Sequence, residues 1–105
     1  MAKFSSIKEA PIKSTHPVAV ILPVYRDVET TKRCILAAMP GVLNIKDAKL
    51  VAINDASPDA GMQAMLEGFV STWPEVFSVL ENKNNLGFIQ TVNRGLDYFL
   101  QYDVV

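Results

Sequence analysis

The chain has 105 residues, of which 50% are hydrophobic and 20% are charged, and its formal net charge is −1. This length predicts a single domain, and the composition is that of a globular protein rather than a disordered one. The near-neutral charge argues against a nucleic-acid-binding surface, no apolar run approaches the roughly 20 residues of a membrane span, and the single cysteine excludes an intrachain disulfide.

The first predicted strand follows a polar leader. Residues 1–17 carry lysine, serine and proline without sustained periodicity, which predicts a partly disordered segment. Residues 18–24 are apolar throughout, as in a strand buried on both faces of a parallel sheet. Pro23 has no amide hydrogen, so the regular pairing of this strand is expected to end near it. Asp27 is the predicted N-cap of the first helix, which the Pro-Gly pair at 40–41 is expected to end.

The second predicted strand ends in an abrupt change of polarity. Residues 50–59 read Leu-Val-Ala-Ile-Asn-Asp-Ala-Ser-Pro-Asp, and the first four have the pattern of a buried strand. Ser57 is predicted to cap the next helix, with Pro58 at its first position and Asp59 at the positive end of its dipole. Asp55 therefore lies at the rim where open α/β sheets bind ligands. Two interpretations stay open, a hydrogen-bond acceptor for a ligand and a turn residue.

Two more units complete the pattern. The second helix is predicted over residues 58–71 and the third strand over residues 77–80. The third helix is predicted to begin near Gly87, and Gly95 within it indicates close packing against a strand or loop. Residues 103–105 have the pattern of a fourth strand. The buried face of the third helix is predicted to consist of Phe88, Val92, Leu96, Phe99 and Leu100.

The predicted order is therefore β-α-β-α-β-α-β. Strands that alternate with helices indicate an α/β fold with right-handed crossovers. We expect a Rossmann-like parallel sheet of three to four strands with flanking helices. No G-x-G-x-x-G follows the first strand and no G-x-x-x-x-G-K occurs in the chain, so neither of these phosphate-binding loops is predicted.

Four segments in series resemble one family. They are Val-Ile-Leu-Pro-Val-Tyr at 20–25, Val-Ala-Ile-Asn-Asp-Ala-Ser at 51–57, Asn-Leu-Gly-Phe at 85–88 and Asn-Arg-Gly-Leu at 93–96. Together they resemble the N-terminal half of the nucleotide-binding domain of family 2 glycosyltransferases, which are inverting enzymes of the GT-A type. The resemblance covers residues 18–105, and it implies the strand order 3-2-1-4.

The resemblance implies a role for several residues. Pro23 and Tyr25 match positions where the donor's base packs, and Asp55 matches the aspartate that accepts from uracil N3–H. Gly87 matches a position where the backbone approaches the nucleotide. Plain core packing remains the alternative for Tyr25, and helix-start geometry for Gly87. Three further matches are interpreted as structural residues near the site: Asn85, Asn93 and Gly95.

Two departures from the family pattern bear on function. Many members carry an arginine immediately before the asparagine that matches Asn93, but this chain has Val92 there. A donor contact through that arginine is therefore not expected. In the family, an Asp-any-Asp motif ends the fourth strand and binds the divalent metal, Mg²⁺ or Mn²⁺, that holds the donor's diphosphate. Residues 103–105 end before such a motif, so neither a metal nor a catalytic residue is expected in this chain.

The resemblance implies that residues 18–105 form an incomplete nucleotide-binding domain of an inverting glycosyltransferase, inactive by itself. Its expected partner is a nucleotide-sugar, UDP-linked, and not a nucleic acid. A stand-alone nucleotide-binding or interaction module without catalysis remains the alternative. A short fourth strand would leave much of the first strand's outer edge exposed, which predicts a homodimer through that edge. The expected location is the cytoplasm, including the inner face of the membrane.

Overall fold

The computed structural model describes residues 18–100 and 103–104. The predicted leader, residues 1–17, lies outside the described residues, as do residues 101, 102 and 105. Within the described part, strands and helices alternate as predicted. The elements are β1 (Val18–Val24), α1 (Val28–Leu43), β2 (Lys49–Asn54), α2 (Met62–Thr72), β3 (Phe77–Glu81), α3 (Phe88–Tyr98) and β4 (Asp103–Val104).

The strands form one parallel sheet in the order β3-β2-β1-β4, which confirms the predicted topology. The pairing of β1 with β2 runs to Val24 opposite Asn54, one residue beyond Pro23. On its other side, β1 pairs with β4 only at Val18 and Ala19. Strands β1 and β2 therefore end side by side, and the loops that follow them meet at the same edge of the sheet.

Successive side chains of β2 point to opposite faces of the sheet and enter two separate cores. Leu50 and Ala52 pack on the face that α1 and α2 cover, where the buried side chains include Ile35, Met39, Val42, Met62, Leu66 and Phe69. Val51 and Ile53 pack on the other face with Ala19 and Phe99. Both faces of β2 are thus buried, as its continuous apolar pattern predicts.

Helix α3 approaches β1 closely at Gly95. A Cβ atom placed on Gly95 would lie 2.6 Å from Cγ2 and 2.9 Å from Cδ1 of Ile21. A side chain at this position would require α3 or Ile21 to shift, so the expectation of close packing at Gly95 is confirmed. The small residue brings α3 near the sheet directly beside the edge where the predicted site lies.

The predicted buried face of α3 is largely wrong. Phe88 and Leu100 are 71% and 81% exposed, and Leu96 is exposed as well, whereas Phe99 is buried as expected. The side of the helix that packs on the sheet instead carries Thr91 and Gly95, both fully or almost fully buried. The small residues Thr91 and Gly95 set the closest approach of α3 to the sheet. Several large apolar side chains are therefore left at the surface.

Two predicted helix boundaries also differ from the structure. Helix α1 continues through Pro40 to Leu43, because Val42 is buried in the core and the Asn44 amide closes the last turn on the Pro40 and Gly41 carbonyl oxygens. Helix α2 begins at Met62 rather than at residue 58. Ala56 and Gly61 have φ angles of +56° and +86°, so the chain between them turns instead of starting a helix.

Two further expectations concern the surroundings of the chain. No helix in the described residues is both long and apolar enough to cross a membrane. Beyond Ala19, the outer edge of β1 has no neighbouring strand among residues 18–100 and 103–104. Homodimer formation through that edge remains a prediction.

Candidate functional site

A cavity of about 360 Å³ opens where β1 and β2 end. We call it the rim cavity, and it is lined by Pro23, Val24, Tyr25, Asp55, Asn85, Gly87 and Phe88. All four residues predicted to contact a nucleotide lie in this lining: Pro23, Tyr25, Asp55 and Gly87. Residues that follow different strands therefore converge on one site, as expected for a parallel sheet.

The Asp55 carboxylate forms the polar wall of the rim cavity. One oxygen, Oδ1, accepts from the Asn82 side-chain amide at 2.9 Å and from the Leu86 N–H at 2.7 Å. The other, Oδ2, accepts from the Asn85 side-chain amide at 3.0 Å and from the Gly87 N–H at 2.9 Å. A carboxylate has about four acceptor positions. All of them are thus used by donors within the chain.

The backbone of Asp55 extends the same connections. Its N–H donates to the Val24 carbonyl oxygen at 2.8 Å, and its carbonyl oxygen accepts from the Asn85 amide at 3.3 Å. The Asn82 N–H donates to the Asn54 carbonyl oxygen at 2.8 Å. Asp55 therefore joins the ends of β1 and β2 to residues 82–87, which we call the 82–87 loop.

Burial and hydrogen bonding act in opposite directions on Asp55, which is only 5% exposed. Burial, the largest effect, raises the pKa of its carboxyl, whereas the hydrogen bonds that it accepts lower that pKa. The largest lowering contributions come, in order of size, from the Leu86 N–H, the Asn82 amide and the Gly87 N–H. Together they outweigh burial and hold the pKa of Asp55 below its ordinary value. Asp55 is therefore ionised at neutral pH.

Asn82 supports the candidate site, and the sequence analysis missed it. It is 4% exposed, and its amide donates to Asp55 and, at 3.2 Å, to the Thr91 hydroxyl oxygen. Its carbonyl oxygen accepts from the Arg94 guanidinium. A signal was present, because Asn82 directly follows β3 at the same sheet edge that singled out Asp55.

Aromatic and apolar groups form the rest of the rim cavity. Tyr25 is 39% exposed, and the guanidinium carbon of Arg26 lies 5.0 Å from the centre of its ring. Phe88, predicted as a core residue, is instead an exposed part of the cavity lining. Together with Pro23, these rings form an apolar surface on which a flat aromatic ligand can stack. Stacking of a nucleotide base on an aromatic side chain contributes about 1–3 kcal/mol per base.

The turn between β1 and α1 is fixed by two aspartates. Asp27 caps α1 as predicted, because its carboxylate accepts from the Thr30 N–H at 3.0 Å and from the Thr30 hydroxyl at 2.8 Å. These bonds lower the pKa of Asp27. The Asp27 N–H in turn donates to the Asp59 carboxylate at 2.6 Å. Asp59 is therefore a cross-loop acceptor rather than the helix N-terminal charge that was predicted, and it ties the β2–α2 loop to the start of α1.

The predicted structural residues take different positions. Asn85 lines the rim cavity and donates to Asp55, whereas Gly95 lies away from the cavity against Ile21. Asn93 is exposed, and its side chain makes no hydrogen bond within the part of the chain that the structure describes. The neighbouring Arg94 makes the contact to Asn82 instead.

In residues 18–100 and 103–104, no three His, Cys, Asp or Glu side chains are grouped so that they could hold a metal ion. We therefore assign no metal-dependent step to these residues.

Comparison with known proteins gives a family. A model of the family described as Glycosyl transferase family 2 matches residues 19–102, which is most of the chain. No curated protein matches the chain.

Two solved structures share the fold. A mannosyltransferase from Pyrobaculum calidifontis in complex with GDP-Man and Mn²⁺ has a TM-score of 0.64 at 20% sequence identity, over 77% of this chain and 24% of that chain. GalNAc-T7 with UDP, GalNAc and Mn²⁺ has a TM-score of 0.67 at 19% identity, over 79% of this chain and 16% of that chain. The present chain thus spans a quarter or less of the length of these proteins.

Proposed function

The chain belongs to glycosyl transferase family 2, and from this membership we propose that the rim cavity holds the nucleotide part of a nucleotide-sugar donor. The fold is the Rossmann-like α/β fold of GT-A glycosyltransferases. The observation that supports the proposal is the convergence of Pro23, Tyr25, Asp55 and Gly87 on one cavity at the carboxyl ends of β1 and β2. In this proposal, the described residues bind the donor, and transfer with inversion belongs to the whole enzyme.

The base is expected to lie against the aromatic side of the rim cavity. Tyr25 and Phe88 supply ring surfaces, and Pro23 adds an apolar contact at the end of β1. Gly87 has a φ angle of +86°, a conformation that a side chain would strain, and a Cβ atom there would meet no other group within 4 Å. The backbone at Gly87 therefore leaves the cavity open to the ligand.

We propose that Asp55 supports the nucleotide both by holding the cavity wall and by accepting from the base. Because each of its oxygens already accepts two hydrogen bonds, its first role is to hold Asn85 and Gly87 in the cavity wall. A base N–H that reaches Asp55 must share an oxygen with these donors or displace the Asn85 amide, which also lines the cavity. We propose uracil as the base, with N3–H as that donor.

Titration with UDP, followed by amide NMR signals, tests this function. Stacking without strong diphosphate contacts predicts weak binding, with a dissociation constant near the millimolar range, or about −4 kcal/mol. The shifts should concentrate at Tyr25, Gly87 and Phe88, and should be the same with and without Mn²⁺. A parallel titration with GDP measures the preference for the base. Shifts confined to residues outside the rim cavity would reject the proposal.

Phe88 is predicted to be a binding residue rather than a packing residue. Phe88→Ala removes one aromatic surface of the cavity, so UDP affinity should fall by about fivefold or more. Ile89→Ala is the matched control, because Ile89 is equally exposed on the same turn of α3 but does not line the cavity. Both variants should unfold at nearly the same urea concentration as the unmodified chain. Equal UDP affinities for the two variants would contradict a role for the Phe88 ring.

A further inference from the structure

A line of polar contacts connects Arg94 to Asp55 in the wall of the rim cavity. The Arg94 guanidinium donates to the Asn82 carbonyl oxygen, and the Asn82 amide group donates to Asp55 and Thr91. Thr91 is fully buried, and Asn82 and Asp55 are nearly so. A cation and a carboxylate are thus connected through a single side-chain amide inside the protein.

The two charges determine the orientation of that amide. The Asn82 oxygen faces the guanidinium, which only donates, and the Asn82 nitrogen faces the carboxylate, which only accepts. A rotated amide would place donor against donor at Arg94 and acceptor against acceptor at Asp55. In a buried site, each such mismatch costs about 1–3 kcal/mol. Arg94 therefore selects the Asn82 orientation that supports Asp55.

Arg94 lies outside the lining of the cavity that is proposed to hold the ligand. It lines a second cavity, which we call the rear cavity, of about 310 Å³ together with Glu81, Asn82, Lys83, Asn84 and Leu86. It is not part of the rim-cavity lining, to which Gly87 and Asn85 belong. Leu86 and Gly87, which donate side by side to Asp55, thus separate the two cavities.

We propose that Arg94 is a positioning residue for the rim cavity. Its guanidinium fixes the Asn82 amide, and Asn82 fixes the Asp55 carboxylate that holds the Leu86 and Gly87 amides in the cavity wall. Many family members carry an arginine at the position of Val92. In this chain, the cation that influences the site is Arg94 instead. The effect on a ligand rests on the nucleotide function proposed above, whereas the effect on the 82–87 loop does not.

The test compares Arg94→Met with Lys83→Met. Both substitutions remove a cation from the rear cavity, but Lys83 makes no hydrogen bond to Asn82 or to any other described residue. Without ligand, Arg94→Met should shift the amide NMR signals of Leu86 and Gly87. It should also raise the pKa of the Asp55 carboxyl, which a pH titration of its ¹³C NMR signal measures. With UDP, it should lower affinity about five- to tenfold, the net effect of one ordinary lost hydrogen bond. Lys83→Met should leave the amide signals, the pKa of Asp55 and the UDP affinity unchanged.

A conservative variant keeps the test decisive if Arg94→Met does not fold. Arg94→Lys retains a donor for the Asn82 oxygen, so it should restore most of the Leu86 and Gly87 signal positions. Signals of Leu86 and Gly87 that stay unchanged in Arg94→Met would overturn the positioning role. Changed signals in a chain that binds UDP neither before nor after substitution would support the positioning of the loop and reject the nucleotide function instead.

Discussion

Asp55→Asn is expected to lower the free energy of unfolding by about 3 kcal/mol or more. The substitution replaces one carboxylate oxygen by an NH₂ group, which would face two donors that now bond to that oxygen. These are either the Asn82 amide and the Leu86 N–H, or the Asn85 amide and the Gly87 N–H. A buried donor left without an acceptor costs about 1–3 kcal/mol.

Urea unfolding at pH 7 measures this loss, and Asp97→Asn is the control. Asp97 is exposed on α3 and accepts no hydrogen bond from the described residues, so its substitution should change the stability by less than about 0.5 kcal/mol. A loss below about 1 kcal/mol for Asp55→Asn would show that the 82–87 loop does not depend on the carboxylate. UDP affinity should fall together with stability in this variant.

The lowered pKa of Asp55 also predicts how the stability of the fold changes in acid. The pKa of Asp55 is lowered in the folded chain, so its ionised form stabilises the fold fully above the unfolded-state value of about 3.9. That contribution is lost as the pH falls through the lower, folded-state pKa. The stability of the unmodified chain should therefore fall more steeply below about pH 4 than that of Asp55→Asn, in urea titrations at successive pH values.

Gly95→Ala is expected to destabilise the fold, although alanine is the better helix former. The new methyl group would lie 2.6 Å from Cγ2 of Ile21, so α3 must move away from β1 or Ile21 must change its rotamer. Overpacking of this kind costs about 1–3 kcal/mol. Gly95→Val, with a larger side chain, should cost still more.

Two companion variants separate the clash from the effect of helix propensity. Gly68 on α2 has no atom within 4 Å of a built Cβ, so Gly68→Ala should raise the free energy of unfolding by up to about 1 kcal/mol. In the background of Ile21→Ala, which removes the clashing atoms, Gly95→Ala should lose most of its cost, and the coupling should exceed about 1 kcal/mol. Additive effects of the two substitutions would contradict the clash.

The position of Asp55 could be predicted from the sequence, but its neighbours could not. A continuous apolar strand that ends in a carboxylate places that carboxylate at the rim of a parallel sheet, and the structure agrees. The amides of Leu86 and Gly87 belong to a loop without periodicity, and their direction depends on turn angles that the sequence does not determine. Only the structure therefore shows that donors within the chain use all acceptor positions of the Asp55 carboxylate.

The predicted buried face of α3 and the predicted start of α2 are wrong for different physical reasons. In α3, the pattern of large apolar residues predicted the buried face, but close approach at Gly95 and Thr91 decided which side packs on the sheet. In α2, Ser57 and Asp59 have the residue types of a helix start. Ser57 instead closes a local turn, because its hydroxyl accepts from the Asp59 N–H. The Asp59 carboxylate makes a tertiary contact, because it accepts from the Asp27 N–H.

The bonds from Leu86 and Gly87 to Asp55 also have a consequence for how the chain opens. Neither amide belongs to a helix or strand, yet both are held by a group at the end of the central part of the sheet. In hydrogen–deuterium exchange, they should be protected nearly as long as the β2 amides, because they are released only when that end of the sheet separates. The Lys83 and Asn84 amides, which donate to no described group, should exchange at once. One short loop would thus contain both a segment that opens with the sheet and a segment that opens freely.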